Sequence, residues 1–172
     1  MSVRRLTPAD ATAYRALSLR GFAIAPEAFT STVAEREAQP LSVWEQRLSA
    51  AADAPDEVHG AFVDGTLVGC AGLLTETRTK TRHKATLVGM FVAPEAEGRG
   101  FGAALVQAVL AAARARPGLR VVTLTVTDGN ARAEALYARC GFVRFGVEPL
   151  AVRDPDTGAF FGKVHMHCDL NA

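Results

Sequence analysis

The sequence predicts an α/β protein built on a mixed, mostly antiparallel sheet. Three observations carry that expectation. Strand-like and helix-like patterns follow one another in the order β α α β β β α β α β β. Two β-rich runs flank Asp64-Gly65, a strong hairpin dipeptide. A further strand runs into "EGRGFGAAL", residues 97–105, where three glycines stand at every second position before an apolar helix. The expectation is six or seven strands flanked by about four helices, in a single domain over residues 1–172.

Each element has its own reason. "VRRL" (residues 3–6) reads as the first strand. Thr7 suits an N-cap and Pro8 a first helical residue, opening a helix to about Arg20 with Leu17 on its apolar side. "APEAFTSTVAEREAQP" is polar and holds two prolines, so it reads as loop with room for one helical turn. Residues 42–52 read as a second helix, with Trp44 and Leu48 four apart on one face. Residues 57–76 form the hairpin, "RTKTRH" (residues 78–83) a basic connection, and residues 85–92 the next strand. The Ala-rich helix runs from about Gly100 to Ala115 and ends at Pro117-Gly118. "RVVTLTV" reads as a β-branched strand covered on both faces. "NARAEALYARC" is a helix with Asn130 at its start and Gly141 after its end. "FVRFGV" and "KVHMHCDL" close the sheet, joined by a loop containing Asp156-Thr157-Gly158.

Composition narrows the class. The chain is 49% hydrophobic and 22% charged, with formal net charge +1, which argues against nucleic-acid binding through a general basic surface. Cys70, Cys140 and Cys168 are odd in number and lack metal or redox spacing, so they read as buried thiols in a reducing compartment. The first residues, "MSVRRLTPADATAY", hold no apolar run of signal-peptide length, and no segment reaches the roughly 18 apolar residues of a membrane span. The expected location is the cytoplasm.

The glycines point to a ligand. A helix N-terminus carries unpaired N–H groups and partial positive charge, and glycines there let a ligand approach the main chain. Together they make an anion site, most often for phosphate. A Walker loop needs Lys and then Ser or Thr, whereas Gly102 is followed by Ala103-Ala104. Gly98, Gly100 and Ala103 fit a dinucleotide fingerprint, with Asp128 downstream. That fold opens with this unit, however, and here several strands precede it.

Two stretches resemble one family. "MFVAPEAEGRGFGAALV" followed by "VTLTVTDGNARAEALYARCGF" is similar to the GCN5-related N-acetyltransferase (GNAT) family. Its acetyl-CoA signature is Gln or Arg, two residues, Gly, one residue, then Gly or Ala. Gly100 and Gly102 match; the first position is Glu97, a departure, with Arg99 beside it as a source of positive charge. The family's Asn-x-x-Ala-x-x-Leu-Tyr-x-x-x-Gly-Phe pattern maps onto Asn130, Ala133, Leu136, Tyr137, Gly141 and Phe142.

The resemblance implies the acyl-CoA N-acyltransferase fold and transfer of an acetyl group from acetyl-CoA to a primary amine by direct attack in a ternary complex. Such a reaction needs a donor for an oxyanion and an acid near the sulfur. By resemblance, the strand ending Met90-Phe91-Val92 splays from its neighbour at a bulge, pantetheine pairs with the freed backbone, and the Val92 amide polarises the thioester carbonyl. The amides of Gly98, Arg99, Gly100, Phe101, Gly102 and Ala103 hold the pyrophosphate. Asn130 and Ala133 contact the cofactor, and Tyr137 protonates the leaving thiolate. Asn130 also suits a plain N-cap.

The general base is not legible. Some family members carry a Glu five residues before the Asn, and that position is Thr125. Glu27, His59, Glu76, His83 and Asp128 are the other candidates, beside a water chain or an amine arriving neutral. His165 and His167 share a strand face, a spacing that suits a metal, but no third ligand is evident and no metal is expected. The basic 78–83 connection reads as solvated, or as an attractor of an acidic acceptor or of the cofactor's ribose phosphate. The acceptor is expected between residues 20–32, with Pro26 to Phe29 and Trp44 as apolar walls, and the 148–163 loop. Competing readings are a non-catalytic acyl-CoA-binding or regulatory domain and a nucleotide-dependent oxidoreductase. A homodimer through exposed closing strands is a further family expectation.

Overall fold

The computed structural model describes residues 2–51 and 54–171. A single seven-stranded sheet has the order β1-β2-β3-β4-β5-β7-β6. Its strands are β1 (Ser2–Arg5), β2 (Asp56–Val63), β3 (Thr66–Thr75), β4 (Lys84–Val92), β5 (Val121–Thr127), β6 (Val143–Arg153) and β7 (Phe160–Asp169). Only β4 and β5 pair in parallel; the other neighbours are antiparallel. The β2–β3 hairpin turns at Asp64 (φ 48°) and Gly65 (φ 80°), both left-handed as a type I′ turn requires.

Five α-helices flank the sheet among the described residues: α1 (Ala11–Ile24), α2 (Val33–Glu37), α3 (Leu41–Arg47), α4 (Phe101–Ala115) and α5 (Ala131–Arg139). α4 and α5 cover one face. Phe101, Leu105, Val106, Val109 and Leu110 pack there with Leu73, Leu87, Val122, Leu124 and Val164. α1 and α3 cover the other, where Tyr14, Leu17, Trp44 and Leu48 pack with Leu6, Val58, Leu67 and Cys70. Tyr14 and Trp44 meet edge to face at 5.5 Å. All three cysteines are free and buried.

Several elements differ from the sequence reading. Thr7 is the expected N-cap and Pro8 the first residue, but of a 3-10 turn, Pro8–Asp10, that precedes α1; the Asp10 carboxylate completes the cap, accepting from the Thr7 N–H at 2.9 Å and hydroxyl at 3.1 Å. α1 runs beyond Arg20 to Ile24, stopping short of Pro26. α2 arises from a capping box between Thr32 and Glu35. The helix expected over 42–52 ends at Arg47, and Ala52 lies outside the described residues. β5 is not covered on both faces: Val122, Leu124 and Val126 are buried, whereas Thr125 is exposed on the face that the alternating threonines leave polar. The 148–163 segment is no long loop. β6 and β7 continue through most of it, and only residues 154–159 turn. Pro149 concealed that strand; β6 is the sheet edge, where a missing N–H costs nothing.

Candidate active site

β4 and β5 pair only from Lys84 to Thr86 and from Val121 to Thr123, with the Thr86 and Thr123 hydroxyls 3.3 Å apart at the fork. The ladder ends there. On its other side β4 carries a bulge: its register against β3 shifts between Cys70 and Gly72, and Gly89 takes φ 61°. Beyond the bulge the Ala93 N–H donates to the Val68 carbonyl, and Phe91 faces Cys70 across the ladder. Antiparallel strands alternate their hydrogen-bonding direction, so the intervening Val92 N–H turns away from β3, toward the side from which β5 has parted, although Val92 itself does not line the cleft there.

The gap is a cleft of about 280 Å³. Met90, Thr125, Asn130, Ala133, Tyr137 and Lys163 are among the residues that line it. Tyr137 packs edge to face on Phe142 at 5.9 Å. Burial pushes its hydroxyl pKa up to about 12, so the group is a proton donor at neutral pH. Asn130 caps α5, its Oδ1 accepting from the Ala133 N–H at 3.0 Å.

The glycine loop lies next to the cleft. Gly98 (φ 72°) and Gly100 (φ 84°) are left-handed, and nothing stands within 4 Å of where a Cβ would project from either. The first bond of α4 runs from the Ala104 N–H to the Gly100 carbonyl, leaving the Phe101, Gly102 and Ala103 amides free of helical partners. Gly102 has a second reason to be glycine: a Cβ there would stand 3.1 Å from Leu136 and 3.4 Å from Met90, so it lets α4 approach α5 and β4. The Phe101 side chain is 1% exposed and belongs to the core, which leaves only its amide for a ligand. Glu97, the departure from the signature, binds Arg132 of α5 at 2.6 Å. Its charge is thereby paired, and Arg99 stands exposed beside it.

Not every expected residue reaches the cleft. The Phe91 side chain packs on the α1 face and lines a second cavity of about 250 Å³ there, with Phe22, Trp44 and Arg36. Phe29, Thr30, Val88 and Gly89 line both cavities, so the two meet at the bulge. None of the five candidate bases lines either one. His59 is buried in β2 against Glu57 at 3.1 Å, and burial lowers its pKa. The 78–83 connection sits at the start of β4, a nine-residue strand away from the glycine loop, about 30 Å by rise per residue. That distance removes it from the phosphate site. The 148–163 segment lines neither cavity apart from Lys163. Among the described residues no three His, Cys, Asp or Glu side chains cluster for a metal.

Sequence reading missed Lys163 and Gly89. Lys163 is 4% exposed, and its ammonium donates to the Glu27 carbonyl (2.9 Å), the Ala28 carbonyl (3.1 Å) and the Thr127 hydroxyl (3.0 Å). Thr127 also donates to the Glu27 carbonyl at 2.9 Å. Together they pin the segment after α1 over the cleft. Burial lowers the Lys163 pKa, against the pull of Glu27. The available signal was alternation, which puts Lys163 on the β7 face opposite buried Val164 and Met166. For Gly89 it was a lone glycine within a strand pattern.

The cleft and loop can be set beside known proteins. Residues 20–142 match the Acetyltransferase (GNAT) family. The chain is 33% identical over 137 residues to the mycothiol acetyltransferase of Salinispora tropica, covering 80% of this chain and 42% of that protein. It is 33% identical over 85 residues to the phosphinothricin N-acetyltransferase of Alcaligenes faecalis, covering 49% of this chain and 43% of that one. The matched stretches thus span less than half the length of these curated relatives. The ribosomal-protein-alanine N-acetyltransferase of Brucella melitensis superposes with a TM-score of 0.82 at 25% identity, covering 98% of this chain and 99% of that one. The yncA structure of Salmonella typhimurium, a putative acetyltransferase solved with acetyl-CoA, shares the fold at a TM-score of 0.80 and 20% identity, covering 100% and 95%. The family match over 20–142 and a fold shared end to end lead to one conclusion: this chain belongs to the GNAT acetyltransferase family.

Proposed function

We propose that the chain is an acetyl-CoA-dependent N-acetyltransferase acting on a primary amine of a small molecule, peptide or protein. The observation that carries this reading is the splayed β4–β5 gap lined by Met90 and Tyr137, with the Val92 amide turned away from β3 just beyond it. The residues fit acetyl-CoA: the amides at 101–103 are free to bind an anion, left-handed glycines leave space beside them, and the gap offers β4 an unpaired edge. Bound acetyl-CoA supplies the acyl group as a thioester. Val92 N–H is the donor for the carbonyl oxygen as it gains negative charge. As the amine nitrogen bonds to the carbonyl carbon and the C–S bond breaks, Tyr137 gives its proton to the sulfur. The amine's surplus proton leaves to water, and Tyr137 is reprotonated from solvent. Asn130 holds the start of α5, and so Tyr137, in place.

Calorimetric titration tests this first, with acetyl-CoA against NADH and ATP. Micromolar binding selective for acetyl-CoA and CoA is expected. Absence of binding sinks the reading, and preference for NADH revives the oxidoreductase. The non-catalytic alternative is separated by thiol release on adding amines.

The same proposal places the chain in the cytoplasm without a nucleic-acid partner, on its free cysteines and net charge of +1. No helix of the described residues is long and apolar enough to cross a membrane. It also includes a homodimer. β6 is an edge strand, and Val143, Phe145 and Leu150 on it are 59%, 60% and 69% exposed. Sedimentation should give twice the chain mass, and Phe145→Asp the single mass; a wild-type monomer at tens of micromolar removes the dimer.

A further inference from the structure

The cavity on the α1 face carries an uncompensated cation. Arg36 lines it and is half-buried. Its Nε donates to the Ser31 hydroxyl at 3.0 Å and its Nη1 to the Gln39 side-chain oxygen at 3.3 Å. Both partners are neutral. Among the described residues no carboxylate lies within salt-bridge distance of Arg36. The adjacent Glu35 carboxylate is held by the Thr32 N–H at 2.8 Å and hydroxyl at 3.0 Å. Arg47 lines the same cavity and has Asp56 at 3.7 Å, so its charge is matched within the protein. Arg36 is therefore fixed in place by neutral groups, with its charge and its Nη2 edge left for something that enters.

What enters must also fit the walls. Phe22, Phe29 and Trp44 make them apolar, and about 250 Å³ suits a small molecule. The cavity opens onto the cleft at Thr30 and Gly89, which puts an occupant's amine beside the acyl site. We propose that the acceptor is a small amine that also carries a carboxylate, held by Arg36, with an apolar body against Phe22, Phe29 and Trp44. Guanidinium and carboxylate match in planar, paired geometry, and burial strengthens the pair. The same arrangement bears on the missing base. Among the described residues no carboxylate lines either cavity, while Arg36 and Lys163 bring positive charge to them. Like charges disfavour an ammonium, so the site favours the neutral, nucleophilic amine. The substrate carboxylate cancels that part of the repulsion which comes from Arg36, and Lys163 on the cleft side is what remains to disfavour the ammonium.

This rests on the acetyltransferase reading, and the test separates the two. Thiol release from acetyl-CoA is followed with leucine, methionine and phenylalanine, each against its amide. The amide keeps the shape and loses the charge, and its amine deprotonates more readily, which biases the comparison against the proposal. The free acids should give kcat/KM at least about tenfold higher. Arg36→Gln should lower that for the acids about tenfold to a hundredfold, mostly through KM, and leave the amides within about twofold. Arg36→Lys, which keeps the charge, should recover part of the loss, and thermal midpoints report whether either variant is folded. Three results overturn the inference while leaving the acetyltransferase: amides used as well as acids, equal losses for acids and amides in Arg36→Gln, or no acid acetylated by a protein that binds acetyl-CoA. Failure of acetyl-CoA to bind the same preparation takes down both readings.

Discussion

Tyr137→Phe should lower kcat by about a hundredfold while leaving acetyl-CoA affinity within about twofold. The substitution removes one oxygen. It keeps the ring, its edge-to-face contact with Phe142 and its place in the core beside Cys140. No described group hydrogen-bonds the hydroxyl, so its loss strands no partner, and the thermal midpoint should move by no more than about 2 °C. A hundredfold loss corresponds to about 2.7 kcal/mol of barrier, which fits one general acid and exceeds a change in packing. The pH profile adds a check. Burial raises this pKa to about 12, and the acid works in its protonated form, so the raised value keeps it competent. The rate at saturating substrate should show no decline between about pH 7 and about pH 10 on its account. A fall in acetyl-CoA affinity equal to the fall in rate would make Tyr137 a wall of the cleft and not the acid.

The features readable in advance were those set by local chemistry. Asp64-Gly65 fixes a hairpin through two left-handed residues, and Asn130 fixes a helix start through one side-chain acceptor. The glycine loop was readable because left-handed backbone and a helix start must coincide there. What stayed hidden depends on contacts between distant parts of the chain. Gly102 looks like a ligand position in sequence, yet its constraint also comes from Leu136 and Met90. Phe91 follows the cleft residue Met90, but alternation sends its ring to the opposite face, into the second cavity. Lys163 meets partners about 135 residues earlier, at Glu27 and Ala28. Glu97 could be read as a departure, but not as one matched by Arg132 across two elements. The cavity on the α1 face was least legible because its Arg36 and Arg47 lie on short helices whose packing no periodicity specifies.

Gly100→Val should weaken acetyl-CoA and CoA binding at least a hundredfold. Gly100 is the N-cap of α4 at φ 84°, a region that β-branched residues avoid. Two effects follow. Holding valine there costs of order 1–3 kcal/mol, and relaxing that strain turns the free amides of residues 101–103 away from a common point. The side chain also projects into space that is open within 4 Å, where a phosphate would approach the backbone. Strain alone would lower stability without touching a ligand, and Gly118 supplies the control. It has φ 83°, equally open surroundings and a place in the turn after α4, at the far end of that helix. Gly118→Val should reproduce the few-degree loss of thermal midpoint and keep acetyl-CoA affinity within about twofold. If both variants lose affinity alike, the loop acts through fold stability and does not hold the pyrophosphate. If only Gly100→Val loses it, the anion site lies at the start of α4, and Glu97 in its pair with Arg132 does not spoil it.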